Sequence, residues 1–148
     1  MDYREVFRAA LDRVRSNFLR GRLVEDGVDL GGTRLVLPHG VRARVTPGAP
    51  EVLVGLRPEC FLAAGDKGGL LQGEVEVIEQ LGAESYLYLR IRGLDVVEHN
   101  DRPGELAGAI CARLNDPVEI KTGEPMSLGL RPELVRLFDE KTGISRLG

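Results

Sequence analysis

The chain has 148 residues, of which 43% are hydrophobic and 29% charged, and this composition excludes a disordered segment. Its net charge of −3 argues against a surface built to bind nucleic-acid phosphates, and no apolar run approaches the ~20 residues of a membrane span. Nineteen glycines and eight prolines favour short strands joined by tight turns over a helical bundle.

In chain order, the pattern predicts one helix followed by many short strands. Residues 2–16 have helical periodicity, because apolar side chains such as Tyr3, Val6 and Phe7 recur on one face. Hairpin turns are predicted at Asp26-Gly27 and over residues 81–85. The predicted strands are residues 18–25, 28–30, 33–37, 41–45, 51–54, 73–80, 86–92, 110–114, 117–120 and 126–131.

One five-residue phrase occurs twice. Gly-Leu-Arg-Pro-Glu stands at residues 55–59 and again at 129–133, a separation of 74 residues, which is half of the chain. Each copy follows a strand-like run and leads into a short apolar run. That spacing is too long for a solenoid and indicates two related lobes. A strand-ending turn, in which Pro lacks the N–H of a ladder, is a simpler reading that holds equally well within a duplicated fold.

Short strands closed into small barrels leave no exposed sheet edges, so we predict a mainly β fold of small barrels with one N-terminal helix, as one compact domain or as two small interlocked lobes.

The residue types that carry catalysis are scarce. None of the three lysines stands in a P-loop, and the two histidines lie alone without neighbouring ligands at metal-binding spacing. The two cysteines are 51 residues apart, which favours free thiols in a reducing compartment over a disulfide framework. The sequence therefore predicts no enzyme activity, no metal site and no cofactor in this chain.

Nucleic-acid binding is an alternative for a small β-barrel. Such barrels bind single strands through basic grooves and stacking aromatic rings. Alternation in the strand at 86–92 places Tyr86, Tyr88, Arg90 and Arg92 on one face. Only seven aromatic residues occur in the whole chain, and the surrounding segment is acidic, so nucleic acid is not the expected partner.

An ordered set of motifs resembles a known family. The motifs are Asn-Phe-Leu at 17–19, the phrase at 55–59, Val-Ile-Glu-Gln-Leu-Gly-Ala-Glu-Ser-Tyr-Leu-Tyr at 77–88, and Leu-Phe-Asp-Glu-Lys-Thr-Gly at 137–143. Together they resemble the C-terminal regulatory region, the transport-associated OB (TOBE) domain, of ATP-binding subunits from sugar-importing ABC transporters of the maltose and glycerol-phosphate type. The ATPase domain of that family has no counterpart in this sequence, and the stretch 98–109 is longer than the family's usual loop.

The resemblance implies two interlocked OB-like barrels at residues 17–148, preceded by a linker remnant with one helix at 1–16. It implies a regulatory and dimerisation module of a carbohydrate importer, acting through protein contacts. The expected partners are a second copy or transporter ATPase subunits, and a regulatory protein. The expected location is the cytoplasm, at the inner face of the cell membrane when bound in a transporter complex, so that membrane contact is only indirect through the permeases.

A second function hypothesis is a sensor of a small ligand, a sugar or an oxyanion, held between the barrels; the third is the nucleic-acid binder described above. The candidate residues for ligand or partner binding are Arg57, Glu59, Gln80, Glu84, Tyr86, Arg131 and Glu133. For the four Arg and Glu residues, salt bridges within the fold at the corners, where each copy of the phrase turns the chain, are the simpler interpretation. For the segment 80–85, an ordinary hairpin turn is the simpler one.

Overall fold

Ten short strands form two five-stranded antiparallel sheets in the part of the chain that the structure describes. This computed structural model describes residues 15–64, 70–97, 106–114 and 120–148. The helix predicted at 2–16 lies outside these residues except for its last two positions. The strand predicted at 117–120 lies outside them except for Ile120, which is not in a strand.

The first half of the chain builds most of the first sheet. Its elements are β1 (Asn17–Val24), β2 (Gly27–Asp29), β3 (Arg34–Val36), helix α1 (His39–Arg42) and β4 (Glu51–Leu56). A 3₁₀ turn at Pro58–Cys60 then leads to β5 (Phe61–Ala63). The second half contains β6 (Leu71–Leu81), β7 (Glu84–Ile91), β8 (Ile110–Leu114), β9 (Pro125–Leu130), a 3₁₀ turn at Pro132–Leu134 and β10 (Arg136–Asp139).

The two halves exchange one strand each. The first sheet has the order β10-β4-β1-β2-β3, and the second has the order β5-β9-β6-β7-β8. The chain therefore leaves the first sheet after β4 and enters the second as β5, and it returns from β9 to the first sheet as β10. Both crossings occur at the repeated phrase. This exchange confirms the predicted interlocking of two OB-like barrels.

The repeat is structural as well as sequential, because the strand register repeats with it. Arg136 in β10 pairs with Gly55 in β4, and Leu62 in β5 pairs with Gly129 in β9. Gly129 lies 74 positions after Gly55, and Arg136 lies 74 positions after Leu62, so the two pairs are equivalent in the repeat. The two crossings are thus related by an exchange of the two halves, as a duplicated fold requires.

One continuous core joins the two sheets. Its fully buried side chains come from strands of both sheets and include Leu19, Val54, Leu56, Phe61, Leu87, Leu89, Leu128 and Leu137. Each sheet thus covers the apolar face of the other, which gives both barrels one hydrophobic interior. In the described residues, no helix has the length and apolar character needed to cross a membrane.

The buried amide of Asn17 ties the sheets together. Its Nδ2 donates to the carbonyl of Leu56 at 2.9 Å and to that of Cys111 at 2.9 Å. Its Oδ1 accepts from the backbone N–H of Cys111 at 2.7 Å. A strand end of the first sheet is therefore bonded through one side chain to β8 at the edge of the second.

The strand predicted at 41–45 is wrong, because residues 39–42 form the short helix α1. Pro38 precedes the helix with φ −57, a value that its ring fixes and that suits a helix start. Val41 is buried and Val45 half-buried, while Arg42, Ala43 and Arg44 are exposed. A spacing of four between apolar residues fits one face of a helix, so the pattern in this short segment is compatible with a helix as well as with the predicted strand.

The first hairpin forms one residue earlier than predicted, and this shift explains a steric constraint at Gly27. The turn occupies Glu25 and Asp26, so Gly27 opens β2 and pairs with Val24 in β1. A Cβ placed on Gly27 would overlap the carbonyl oxygen of Leu35 in the neighbouring strand. The close approach of the strands therefore requires glycine here.

The substitution Gly27→Ala is expected to lower the free energy of unfolding by about 2 kcal/mol, because the backbone of β3 must move to admit the methyl group. Urea unfolding followed by circular dichroism measures this change. Gly40→Ala is the matched control, since a Cβ on Gly40, which lies in α1, would have no neighbouring atom within 4 Å. An equal effect of both substitutions would contradict the steric explanation.

Candidate functional site

The two copies of the repeated phrase contact each other at the crossing. The backbone N–H of Arg131 donates to the carbonyl of Cys60 at 2.8 Å, and its guanidinium Nη1 donates to the carbonyl of Glu59 at 3.2 Å. The Cys60 thiol lies 3.7 Å from the carbonyl oxygen of Leu134, its counterpart 74 residues later. The second copy of the phrase is thereby hydrogen-bonded to the first.

A cavity of about 570 Å³ opens beside this contact. Three of the seven candidate residues, Arg57, Glu59 and Glu133, line it. The other lining residues are Arg44, Cys60, Leu134, Val135, Arg136, Phe138, Ser145 and Leu147. Arg131 does not line the cavity, although it is hydrogen-bonded to the lining residue Glu59. Three of the four charged residues of the repeat therefore lie around one cavity.

The charges of this cavity are unevenly matched. Glu59 lies 3.7 Å from Arg113 of β8, which is an arginine outside the lining. The Arg44 Nε donates to the backbone oxygen of Gly148 at 2.9 Å. The guanidinium groups of Arg57 and Arg136 form no hydrogen bond or ion pair within the described ranges. The Glu59–Arg113 contact is a salt bridge within the fold of the kind that the simpler interpretation of the sequence expects, and in the described part of the chain no salt bridge joins the four charged residues of the repeat to one another.

Arg57 and Arg136 differ, in environment or in residue type, from the residues at the equivalent positions of the other repeat. Arg131 is partly buried and bonded to the first corner, whereas its counterpart Arg57 is exposed. Arg136 of β10 has the apolar Leu62 as its counterpart in β5. The two halves therefore differ in the environment of Arg57 and Arg131 and in the residue type at positions 62 and 136.

Burial raises the pKa of the Cys60 thiol above its ordinary value, while the charges of Arg57 and Arg136 act in the opposite direction. Because the thiolate is the reactive form, we expect Cys60 to react slowly with a disulfide reagent such as Ellman's in the native protein. Both cysteines are free and buried, so both should react together once urea unfolds the chain.

The variant Cys111→Ser isolates Cys60 in this measurement, and Cys60→Ser isolates Cys111. A rapid reaction of native Cys60, at the rate of the unfolded chain, would contradict the burial of this thiol.

The other three candidates lie elsewhere, at the hairpin between β6 and β7. Gln80 pairs with Ser85, and Leu81 pairs with Glu84, across a two-residue turn in which Gly82 has φ 66. The turn predicted over residues 81–85 is therefore present. Tyr86 follows it and is 8% exposed, with the Arg15 guanidinium 4.1 Å above its ring. None of these three residues lines the cavity at the crossing.

The face considered for base stacking is covered. Tyr86 and Tyr88 are buried in a second apolar cluster with Leu106, Ala109 and Cys111. Burial raises the pKa of Tyr88 to about 12, which is the effect of removing a phenol from water. Because residues 85–89 of β7 are buried while Arg90 is exposed, the expectation that the two tyrosines are available for base stacking beside Arg90 is wrong.

Of the eleven lining residues, only Arg57, Glu59 and Glu133 are candidates predicted from the sequence; the other eight, which include Arg44, Arg136, Phe138, Ser145 and Leu147, are not. Arg136 carried a usable signal, because alignment of the two repeats places it opposite Leu62. Such a change from an apolar to a charged residue marks a position at which the two crossings differ. Among the described residues, no group of three or more His, Cys, Asp or Glu side chains is arranged to hold a metal ion.

Comparison with known proteins agrees with this architecture. The TOBE domain family matches residues 54–138. The chain is 29% identical over 132 residues to the maltose/maltodextrin import ATP-binding protein MalK of Shigella flexneri serotype 5b, a match that covers 85% of this chain and 32% of that protein. It is 30% identical over 125 residues to the sn-glycerol-3-phosphate import ATP-binding protein UgpC of Chromobacterium violaceum, covering 81% of this chain and 30% of that protein.

The chain thus spans about a third of the length of these relatives. Its fold is similar to that of the cytoplasmic molybdate-binding protein ModG in a crystal structure with molybdate bound, with a TM-score of 0.57. That match has 18% sequence identity and covers 86% of this chain and 95% of the ModG chain. From the family match, which includes both copies of the repeated phrase and all five strands of the second sheet, we conclude that the chain belongs to the TOBE domain family.

Proposed function

We propose that this chain is the regulatory and dimerisation module of the ATP-binding subunit of a carbohydrate importer, and that it acts through protein contacts. The observation that carries this proposal is the extent of the match to the two import ATP-binding proteins. It covers more than four-fifths of this chain but only about a third of theirs. The chain therefore corresponds to one region of such a subunit.

In this proposal, regulation and ATP hydrolysis belong to different parts of the importer. The sequence contains no P-loop, whose backbone N–H groups and Lys bind nucleotide phosphates. ATP binding and hydrolysis would thus belong to a separate domain or subunit. In this arrangement, residues 17–148 form the tandem barrel module and residues 1–16 the link to the ATPase. Permeases would supply its only connection with the membrane, at the cytoplasmic face.

Exposed apolar side chains support a role in protein contacts. Among the described residues, five large apolar side chains are between 38% and 67% exposed: Val36, Leu62, Leu81, Leu134 and Ile144. Val36 lies in β3 and Leu62 in β5, each of which is one of the two edge strands of its sheet. A second copy, an ATPase subunit or a regulatory protein could cover such positions.

Sedimentation velocity over a range of concentrations tests the dimerisation part of this proposal. We expect a concentration-dependent dimer, because the chain presents these apolar side chains to solvent. Each of the five exposed apolar residues is then changed singly to Glu. At least one of these variants is expected to weaken the dimer about tenfold or more, as substitution of a central interface residue does.

Thr122→Glu is the matched control, since Thr122 is an exposed polar residue and its substitution should leave association unchanged. A chain that remains monomeric at every concentration would contradict self-association. Five Glu variants that all dimerise like the native chain would contradict the apolar surface as its cause.

A further inference from the structure

We infer that the cavity at the crossing binds a small organic anion, a molecule with a carboxylate or phosphate group attached to an apolar body. This site goes beyond a module that acts by protein contacts alone. It is built from three components: a pair of arginines that no described acid engages, an apolar wall, and a volume of about 570 Å³.

The arginines supply the anion-binding group. Arg57 and Arg136 both line the cavity and both lie close enough to Cys60 to influence its ionisation. Neither guanidinium is engaged by an acid within the described ranges. A guanidinium presents a planar set of N–H donors that matches a carboxylate or phosphate, so two of them converging on one cavity favour an oxyanion.

The acidic residues of the lining do not cancel this charge. Glu59 is occupied by Arg113, which lies outside the lining, and Glu133 is exposed. Arg44 adds a third guanidinium to the same cavity. The lining therefore contains three arginines against two glutamates, one of which is already paired, and the cavity retains an excess of positive charge.

The repeat shows that the strand pairing does not require an arginine at position 136. At the other crossing, the position of Arg136 is occupied by Leu62, and the strand pairing is the same. The counterpart of Arg57, Arg131, is bonded to the backbone of the opposite corner, whereas Arg57 makes no such bond to the described residues. Hydrogen bonding within the fold therefore accounts for Arg131, whereas Arg57 and Arg136 remain available for a ligand.

The apolar wall determines the class of anion. Leu134, Val135, Phe138 and Leu147 line the cavity together with the arginines. The volume falls within the range of about 300–1,000 Å³ that is typical of small-molecule sites. An inorganic oxyanion would leave this wall in contact with water, whereas a ligand with an apolar body would cover it. The geometry thus favours an organic anion over a bare oxyanion.

Four probes separate charge from shape. Benzoate and phenyl phosphate carry the two anionic groups on one apolar ring, benzamide has the ring without the charge, and inorganic phosphate has the charge without the ring. Each is titrated into the ¹⁵N-labelled chain, and amide chemical shifts are followed by NMR. We expect saturable chemical-shift changes at Cys60, Leu134 and Arg136 with benzoate, with phenyl phosphate or with both. The anion that binds more tightly shows whether the cavity prefers a carboxylate or a phosphate group.

Benzamide and inorganic phosphate should each bind at least about tenfold more weakly than that anion, since each lacks one of the two contributions. The double variant R57Q/R136Q should weaken the anion at least about tenfold. Its melting temperature should be close to that of the native chain, because both arginines are exposed. Arg42→Gln, an exposed arginine on α1 outside the cavity, is the control and should leave affinity unchanged.

Three results would overturn the inference. The first is the absence of saturable shifts with both organic anions at millimolar concentration. The second is binding of benzamide or of inorganic phosphate as tightly as the better organic anion. The third is an equal loss of affinity in Arg42→Gln and in R57Q/R136Q, which would indicate a general charge effect.

Discussion

Replacing Asn17 with Ala is expected to lower the free energy of unfolding by about 3 kcal/mol or more. Asn17 is 0% exposed and makes three hydrogen bonds to backbone groups of Leu56 and Cys111. Alanine would leave those buried groups without this partner, and each unsatisfied group costs about 1–3 kcal/mol. Because the two bonds to Cys111 join the two sheets, the loss should appear as a lower midpoint in cooperative urea unfolding.

Two further variants distinguish the hydrogen bonds from the volume of the side chain. Asn17→Leu fills the same space without donors or acceptors and should be about as destabilising as Ala. Gln72→Ala removes an exposed amide from β6 and should change stability by no more than about 0.5 kcal/mol. Native-like stability of Asn17→Leu would mean that packing at this position, and not the bonds between the sheets, is what matters.

The substitution Arg146→Met is expected to lower the free energy of unfolding by about 3 kcal/mol, because the Arg146 guanidinium is nearly buried and fully engaged. Its Nη1 donates to the carbonyl of Ala49 at 2.8 Å, and its Nη2 donates to the carbonyl of Thr46 at 2.8 Å. Methionine preserves most of the apolar stem but removes these charge-assisted bonds. Thermal unfolding followed by circular dichroism measures the loss.

The same side chain holds the segment 145–148 against the loop before β4. The backbone N–H of Thr46 donates to the carbonyl of Arg146 at 2.7 Å, and Val45 forms a bridge with Leu147. Arg146→Lys, which keeps the charge but loses the planar donors, should be intermediate in stability. Arg42→Met is the control at an exposed position, and an effect as large as that of Arg146→Met would contradict a specific role of the buried guanidinium.

The sequence predicts the architecture well where local chemistry repeats or alternates. The repeated phrase marks both crossings, because Pro58 and Pro132 end a ladder in the same way in each half. Alternation of apolar and polar residues locates β6, and Ile110–Leu114 is a strand with the predicted bounds. These signals depend on residues near each other in the sequence, so they can be recognised from a single sequence.

Contacts between distant residues explain what the sequence does not predict. Asn17 and Cys111 are 94 positions apart, and no local pattern indicates that one bonds to the other. Tyr86 and Tyr88 match an alternating surface strand, but packing against Leu106 and Ala109 covers them. The cavity joins both copies of the repeat to the segment 145–147, so its lining emerges only when the two halves exchange strands.

The central claim is that this chain associates with the ATP-binding subunits of a carbohydrate importer or with a second copy of itself. Affinity purification of the tagged full chain from its native host, with quantitative mass spectrometry of the recovered proteins, tests it most directly. The Glu variant that weakens self-association most in sedimentation serves as the paired control. We predict recovery of an importer ATP-binding subunit, or of the untagged chain, in near-stoichiometric amounts with the native sequence and in reduced amounts with that variant. Recovery of neither, or equal recovery with both forms, would contradict the proposed function.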